Sequence, residues 1–194
     1  MTKTLILIPS RMAATRLPGK PLLKINNLSI ISHVFKRAEE AKIGEVVVAT
    51  EDQKILEDVI KNGGRGILTS SNHKTGTDRI FEAYKKLEIK DVDYVLNLQG
   101  DEPNIDKNDI ISLNNFMINN NSEIGTLAAT IQDDKIANNK NVVKVITGKK
   151  LEKNNFPTAL NFTRDNLSKN NSNIYHHIGI YSYKISILEK FVSL

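Results

Sequence analysis

The sequence predicts an α/β fold, a doubly wound and mostly parallel sheet with added strands in the C-terminal part. Short β-branched runs alternate with longer stretches of helical period, which is the pattern of βαβ units. After the Asn-rich segment 119–122 this pattern gives way to strands with polar connections. We therefore divide the chain into an α/β half, 1–120, and an extension of the same domain, 121–194.

The elements of the first half follow from periodicity and from end signals. Strands are predicted at 4–9, 45–50, 66–69 and 94–98, and helices at 29–41, 53–61, 79–87 and 106–119. Asp52 is expected to cap the second helix and Thr77 or Asp78 the third, because short oxygen-bearing side chains satisfy free N–H groups there. Asn62-Gly63-Gly64 supplies a left-handed stop.

Four further strands are predicted in the second half, at 126–131, 142–147, 159–163 and 178–183. Little helix separates them, so some are expected to pair antiparallel, since such strands can be joined by short connections. This extension would build a wall beside the ligand site of the first half.

Composition excludes several kinds of site. The 194 residues contain no cysteine, which excludes disulfides, thiolate metal sites and a cysteine nucleophile. The apolar run 5–9 is too short for a signal peptide or a membrane span, so the chain is interpreted as cytosolic. The net charge of +5 suits nucleic acid, phosphates and sugar acids alike, and does not choose among them.

The loop after the first strand carries three cations, Arg11, Arg16 and Lys20. Doubly wound sheets bind ligands at the carboxyl ends of their strands, so this loop is predicted to hold an anion such as a triphosphate or a leaving pyrophosphate. It is not a Walker A loop, because Pro21 follows Gly19-Lys20 where Ser or Thr is required. The alternative is an exposed basic loop without a ligand.

Two carboxylates, Asp101 and Glu102, follow the predicted strand 94–98 at the same sheet edge. Mg²⁺ is typically held by one or two carboxylates together with substrate phosphates, so Asp101 is predicted as a magnesium ligand. The alternative is a solvated turn, and Glu102 is interpreted as only that.

Two more segments offer polar groups to a ligand. Residues 75–77 lie at a helix start, where hydroxyls and free N–H groups could hold a base or ribose, or simply cap the helix. His177 and Tyr181 share one face of a predicted strand and could line a polar pocket, or could be half-buried strand residues. Zinc is dismissed, since the chain has neither Cys nor an H-E-x-x-H motif.

Together these segments resemble the 3-deoxy-manno-octulosonate cytidylyltransferase family, also called CMP-Kdo synthetases. The matching segments are 8–11, 15–22, 48–50, 75–79, 99–103, 141–145, 162–164 and 177–181, which span nearly the whole chain. The R-L-P-G-K-P-L element also suits other sugar nucleotidyltransferases, whereas its combination with Q-G-D-E-P and H-I-G-I-Y is highly specific.

The resemblance implies a Rossmann-like, three-layer nucleotide-diphospho-sugar transferase fold and a Mg²⁺-dependent reaction, in which CTP and Kdo give CMP-Kdo and pyrophosphate. It implies a first half that binds nucleotide and an extension that binds sugar and dimerises. It further implies a cytoplasmic homodimer in lipopolysaccharide biosynthesis, with no nucleic-acid or membrane partner.

Site residues are carried over position by position. Those implied to act in catalysis are Arg11, Lys20 and Asp101, with Asp101 on the metal. Those implied to bind CTP are Ser10, Arg11, Arg16, Lys20, Thr75, Gly76 and Thr77. Those implied to bind the sugar are Gln99, Arg164, His177 and Tyr181.

One departure and two alternatives accompany this resemblance. Family members continue past the position of Leu194 into a helical segment with a second magnesium carboxylate. Without such a segment, weak metal binding and little or no turnover are expected. The alternatives are a cytidylyltransferase for 8-amino-Kdo or sialic acid, and a non-catalytic module that binds nucleotides or nucleic acid.

Overall fold

The computed structural model describes residues 2–13, 17–165 and 173–193. They form two compact units, the first made of Met1–Gly125 with Ile180–Leu194 and the second of Thr126–Gly179. Each is described by itself below.

The first unit is built on a parallel sheet. The strands of this unit are β1 (Thr4–Ser10), β2 (Lys24–Ile25), β3 (Leu28–Ser29), β4 (Gly44–Thr50), β5 (Gly66–Leu68) and β6 (Tyr94–Asn97). β2 and β3 form a separate antiparallel hairpin. The sheet order is β5-β4-β1-β6, with parallel pairing throughout. The carboxyl ends of β1, β4 and β6 therefore meet at one edge.

In the described part of this unit the α-helices are α1 (Ile30–Glu40), α2 (Gln53–Lys61), α3 (Gly76–Leu87), α4 (Lys107–Asn119) and α6 (Ile185–Val192). Leu5 and Leu7 of β1 pack into an apolar cluster with residues of α3 and α6. On the opposite face, the hydroxyl of Thr4 donates to Oδ1 of Asn114 in α4 over 2.7 Å. The first unit thus has helices on both sides of the sheet, in three layers.

Helix α3 begins earlier than the sequence predicts. Its N-cap is Thr75, whose hydroxyl accepts the N–H of Asp78 at 3.1 Å while the Asp78 carboxylate accepts the N–H of Thr75 at 3.1 Å. The predicted cap at Thr77 or Asp78 is therefore wrong, because Asp78 serves as the third residue of a capping box. The hairpin β2–β3 and helix α6 were not predicted either.

The second unit is mostly antiparallel. It contains most of β7 (Ile124–Thr130), α5 (Asp134–Ala137), β8 (Lys144–Thr147), β9 (Ala159–Thr163) and the first part of β10 (Ile174–Lys184). β8 pairs antiparallel with β9 and β10, so Val145 lies opposite both Phe162 and Tyr175. The last residues of β10 belong to the first unit, where Tyr181 pairs antiparallel with Asn97 of β6. The expected antiparallel additions are present.

Within the described part of the chain, no helix is both long enough and apolar enough to cross a membrane.

Candidate functional site

A cavity of about 300 Å³ lies in the first unit, where β1 and β6 end. It is lined by most of the residues that the sequence analysis singled out for nucleotide binding and catalysis, together with one sugar candidate: Ser10, Arg11, Lys20, Thr75, Gly76, Gln99 and Asp101. Arg16 lies outside the described residues. Thr77 is not part of the lining, and its side chain hydrogen-bonds that of Tyr183.

Two glycines close the floor of this cavity against the end of β1. A Cβ atom on Gly100 would lie 2.8 Å from the carbonyl oxygen of Pro9, which is too close for a real contact. A Cβ atom on Gly76 would lie 3.2 Å from Cγ of Pro9. Glycine at these positions lets the turn after β6 and the start of α3 both pack against β1.

Lys20 and Asp101 bond directly across the cavity lining. Nζ of Lys20 lies 2.8 Å from Oδ2 of Asp101, and Asp101 remains 54% exposed. The sequence predicts the loop cations and this carboxylate at the same edge of the sheet. In the structure, Lys20 and Asp101 are in direct contact there. Burial and the neighbouring Asp101 charge raise the pKa of Glu102 above its usual value.

The hydroxyl of Ser10 is a buried polar group in the cavity wall. Ser10 is only 6% exposed, and among the described residues its Oγ has no hydrogen-bond partner. Leaving such a group unsatisfied costs about 1–3 kcal/mol, so a ligand that bonds it would recover that energy.

Arg79 reaches the cavity from the α3 side and is held by a buried network. It is 2% exposed, donates to Oγ1 of Thr69 at 2.6 Å and forms an ion pair with Glu51. Glu51 follows directly after β4. Arg79 belongs to a segment, 75–79, that the sequence already singles out, whereas Glu51 was not predicted. The position of Glu51 directly after a predicted strand was the feature that could have indicated it.

His73 also lines the cavity, and Nε2 of its ring hydrogen-bonds the carboxylate of Glu82 of α3. Glu82 accepts the N–H of Ser70 at 2.9 Å and lies 2.6 Å from Nζ of Lys86. Burial raises the pKa of Glu82, but the bonds from Lys86, His73 and Ser70 outweigh it and hold the pKa at about 2. Glu82 was missed, although its spacing of four residues from Lys86 was visible in the sequence.

Asp52 differs from its predicted role. It occupies the N-cap position of α2, but its side chain makes no capping bond. Its Oδ2 instead accepts the N–H of Met12 at 2.7 Å, in the loop that follows β1. The consecutive acids Glu51 and Asp52 thus hold Arg79 and Met12 from the end of β4.

Two predicted sugar-binding residues lie in the second unit. Nη1 of Arg164, after β9, donates to the carbonyl oxygen of Asn141 at 3.0 Å and to that of Lys140 at 3.4 Å. His177 on β10 has Nε2 at 2.9 Å from Oγ1 of Thr126, and its ring packs edge-on against Phe162. Burial lowers the pKa of His177, which favours the neutral imidazole.

The other two predicted sugar-binding residues lie in the first unit. Gln99 lines the cavity just after β6. Tyr181 is on the last part of β10, where its ring stacks on Tyr183 with centroids 6.0 Å apart. Burial raises the pKa of Tyr181, so its phenol is neutral at pH 7.

A mostly parallel sheet with a cation-lined cavity at its carboxyl edge defines a nucleotide-binding α/β protein. A family model described as cytidylyltransferase matches residues 5–194, and the chain belongs to that family. It is therefore an enzyme of the nucleotidyltransferase class, and the family resemblance seen in the sequence is confirmed.

Individual relatives agree with this assignment. The chain is 47% identical to the 3-deoxy-manno-octulosonate cytidylyltransferase of Rhodopseudomonas palustris strain BisB18, over 100% of this chain and 78% of that protein. It is 45% identical to the enzyme of the same name from Nitrobacter winogradskyi, over 99% of this chain and 75% of that protein.

Solved structures share the fold. A CMP:2-keto-3-deoxy-manno-octonic acid synthetase complexed with CTP matches with a TM-score of 0.87 and 35% identity, covering 100% of this chain and 78% of that one. The 4-diphosphocytidyl-2C-methyl-D-erythritol synthase of Anaerococcus prevotii matches with a TM-score of 0.60 and 12% identity, which is a likeness of fold alone; it covers 100% of this chain and 78% of that one. The predicted fold class is confirmed.

Proposed function

We propose that this enzyme transfers the cytidylyl group of CTP to Kdo, giving CMP-Kdo and pyrophosphate, and so activates Kdo for lipopolysaccharide synthesis. The observation that carries the proposal is that Arg11, Lys20 and Asp101 line one cavity at the carboxyl edge of the sheet. The family assignment and the names of the relatives support the choice of nucleotide and sugar.

The triphosphate is assigned to the end of β1. Arg11 and Lys20 supply positive charge, and the buried hydroxyl of Ser10 supplies a bond to a phosphate oxygen. Thr75 and Gly76 lie at the amino end of α3, where partial positive charge and N–H groups suit the cytidine side of the ligand. Arg16 and Thr77 remain predicted CTP contacts.

Magnesium fits the donors at the end of β6. Among the described residues no group of three or more His, Cys, Asp or Glu could form a metal cage. Mg²⁺ bound by one carboxylate and the substrate phosphates needs no such cage, and the exposed carboxylate of Asp101 suits that role. When bound, Mg²⁺ neutralises phosphate charge and lowers the pKa of the attacking hydroxyl.

The reaction is an in-line displacement at phosphorus. The 2-hydroxyl oxygen of Kdo forms a bond to the α-phosphorus while the bond to the pyrophosphate oxygen breaks, and the hydroxyl proton is lost to solvent. Positioning and charge neutralisation by Arg11 and Lys20 supply most of the acceleration, as in other phosphoryl-type transfers. Gln99, Arg164, His177 and Tyr181 are proposed to bind the sugar, with Arg164 pairing its carboxylate.

Assembly and location are part of the same proposal. Leu160 and Phe162 on β9 are 66% and 44% exposed, which suits burial against a second copy in a homodimer. A cytoplasmic location is proposed because CTP is a cytoplasmic substrate. Light scattering during size-exclusion chromatography measures the assembly directly.

Release of pyrophosphate tests the activity. With Mg²⁺ and Kdo, a form of the enzyme that carries the family's C-terminal segment past Leu194 is expected to release pyrophosphate from CTP and much less from ATP. CTP is expected to raise the melting temperature of the present chain more than ATP does. Asp101→Asn should abolish release while leaving the melting temperature nearly unchanged, and Asp106→Asn, a matched change at the α4 cap, should leave release intact. Equal stabilisation by every nucleoside triphosphate, or faster release with sialic acid than with Kdo, would contradict the assignment.

A further inference from the structure

Asp52 is a helix-cap residue whose carboxylate is used elsewhere. At an N-cap position, an Asp side chain ordinarily accepts an N–H group of the first helical turn. In α2 that bond is absent, and Oδ2 of Asp52 accepts the N–H of Met12, forty positions away in the sequence, at 2.7 Å. The carboxylate thus joins β4 to the loop that follows β1.

The peptide groups of Met12 are held on both sides. Its N–H donates to Asp52, and its carbonyl oxygen accepts the N–H of Gly19 at 3.1 Å. Gly19 has a φ of 75°, a left-handed conformation that glycine adopts without strain. We call this pair of bonds to Met12 the clamp. Arg11 comes directly before Met12 and Lys20 directly after Gly19, so these two cavity-lining cations flank the clamp.

The base of the clamp is part of the sheet. Ser10 and Thr50 are register partners at the ends of β1 and β4, and Thr50 is fully buried. The N–H of Asp52 donates to Oγ1 of Thr50 at 3.1 Å, which fixes Asp52 relative to that strand end. Because Asp52 is fixed to the end of β4, its bond to Met12 also fixes the main chain at Met12 and at the neighbouring Arg11 relative to the sheet.

We propose that Asp52 is a positioning residue for the phosphate-binding loop, acting through the N–H of Met12. It holds the main chain next to Arg11 and Lys20 in place at the cavity before the ligand arrives. Preorganised groups bind more tightly because less ordering is needed on binding. The inference rests on the proposed function, since it requires that the cavity binds CTP.

Dissociation constants measured by titration calorimetry test this role. Asp52→Ala is expected to weaken CTP binding about tenfold and CMP binding less than about threefold, because the loop cations act on the added phosphates. Asp52→Asn keeps an acceptor oxygen for Met12 and is expected to bind CTP as the wild type does. Asp106→Ala, which removes the bond that the N–H of Asn108 donates to the Asp106 carboxylate, controls for loss of a helix cap.

Each outcome has a definite meaning. If the wild type does not bind CTP, the proposed function fails. If the wild type binds CTP and Asp52→Ala binds it equally well, only the positioning role fails. Equal losses for CTP and CMP, or equal losses in Asp52→Ala and Asp106→Ala, would indicate a general structural role and overturn the inference. Equal behaviour of the Ala and Asn variants would assign the effect to the charge rather than to the bond.

Discussion

The two units use their cations differently. In the first, Arg11 and Lys20 line a cavity, and Lys20 bonds a carboxylate that is itself exposed. In the second, Lys144 and Arg164 donate to backbone carbonyl oxygens. A fully buried cation such as Lys144, whose partners are main-chain atoms, stabilises the fold, whereas Arg11 and Lys20 lie at a cavity that an anion can enter.

Lys144 is the extreme case in the second unit. It is fully buried, and its Nζ donates to the carbonyl oxygens of Asn139 at 2.9 Å and Arg164 at 3.3 Å. Arg164 in turn donates to the carbonyl oxygens of Lys140 and Asn141. The two cations therefore tie the segment 139–141 to the chain at residue 164 from both directions.

The largest effect on stability is expected from Lys144→Met. The substitution keeps the apolar stem but removes both bonds from Nζ, so that the carbonyl oxygen of Asn139 keeps only the N–H of Val142 and that of Arg164 loses its charged donor. We expect a cost of about 2–4 kcal/mol in the free energy of unfolding. Urea denaturation measures this, with Lys153→Met, at an exposed position, as the control. CTP affinity should be unchanged once the protein is folded. Stability equal to that of the wild type would show that these bonds contribute little.

Lys20→Ala is expected to reduce CTP affinity strongly and to change stability little, the opposite of Lys144→Met. Loss of a charge-assisted contact is expected to weaken CTP binding about 10- to 100-fold, with a change of less than about 1 kcal/mol in stability, because its ion pair with Asp101 is partly exposed. Lys24→Ala, at an exposed residue of the same segment, is the control for net charge. Equal losses in the two variants would assign the effect to the overall field rather than to the cavity.

Glu82→Gln is expected to lower the free energy of unfolding by less than Lys144→Met does, and by an amount that depends on pH. The folded-state pKa of about 2 lies below the ordinary 4.5, so the ionised carboxylate stabilises the protein fully above about pH 4.5 and loses this contribution as the pH falls toward about 2. At pH 7 the variant should be less stable by about 1–2 kcal/mol, a value reduced because the ion pairs lie near solvent.

Thermal or urea unfolding from pH 7 down to pH 2.5 measures this dependence. The difference between wild type and variant should narrow between about pH 4.5 and pH 2.5. Glu57→Gln, on the exposed face of α2, should show no such narrowing. A difference that stays constant over this range would contradict the role assigned to the carboxylate of Glu82.

Local patterns were sufficient to predict the fold and the convergence of the main cavity residues. Strand and helix periodicity placed β1, β4 and β6, and parallel strands end at one edge, so Arg11, Gln99 and Asp101 could be expected together. Their roles in binding and catalysis stay predictions.

Contacts between distant segments could not be read from the same patterns. Glu51 reaches Arg79 and Asp52 reaches Met12 only because β4 lies beside β1 and α3 packs on the sheet. The sequence around a carboxylate that follows a strand does not show whether the carboxylate caps a helix, binds a metal or holds a loop. Buried Lys144 was unremarkable in sequence for the same reason, since its acceptors are main-chain atoms.

The contact between Gly100 and Pro9 determines which parts of the cavity can be redesigned. A Cβ atom on Gly100 would lie 2.8 Å from the carbonyl oxygen of Pro9, so this part of the floor has no room for even one methyl group. Libraries aimed at new nucleotide preferences should therefore leave Gly100 unchanged and diversify the exposed Lys74, while keeping Thr75 as the N-cap of α3. The main chain around Gly100 thus tolerates no added side chain, whereas exposed side chains that line the cavity can be varied.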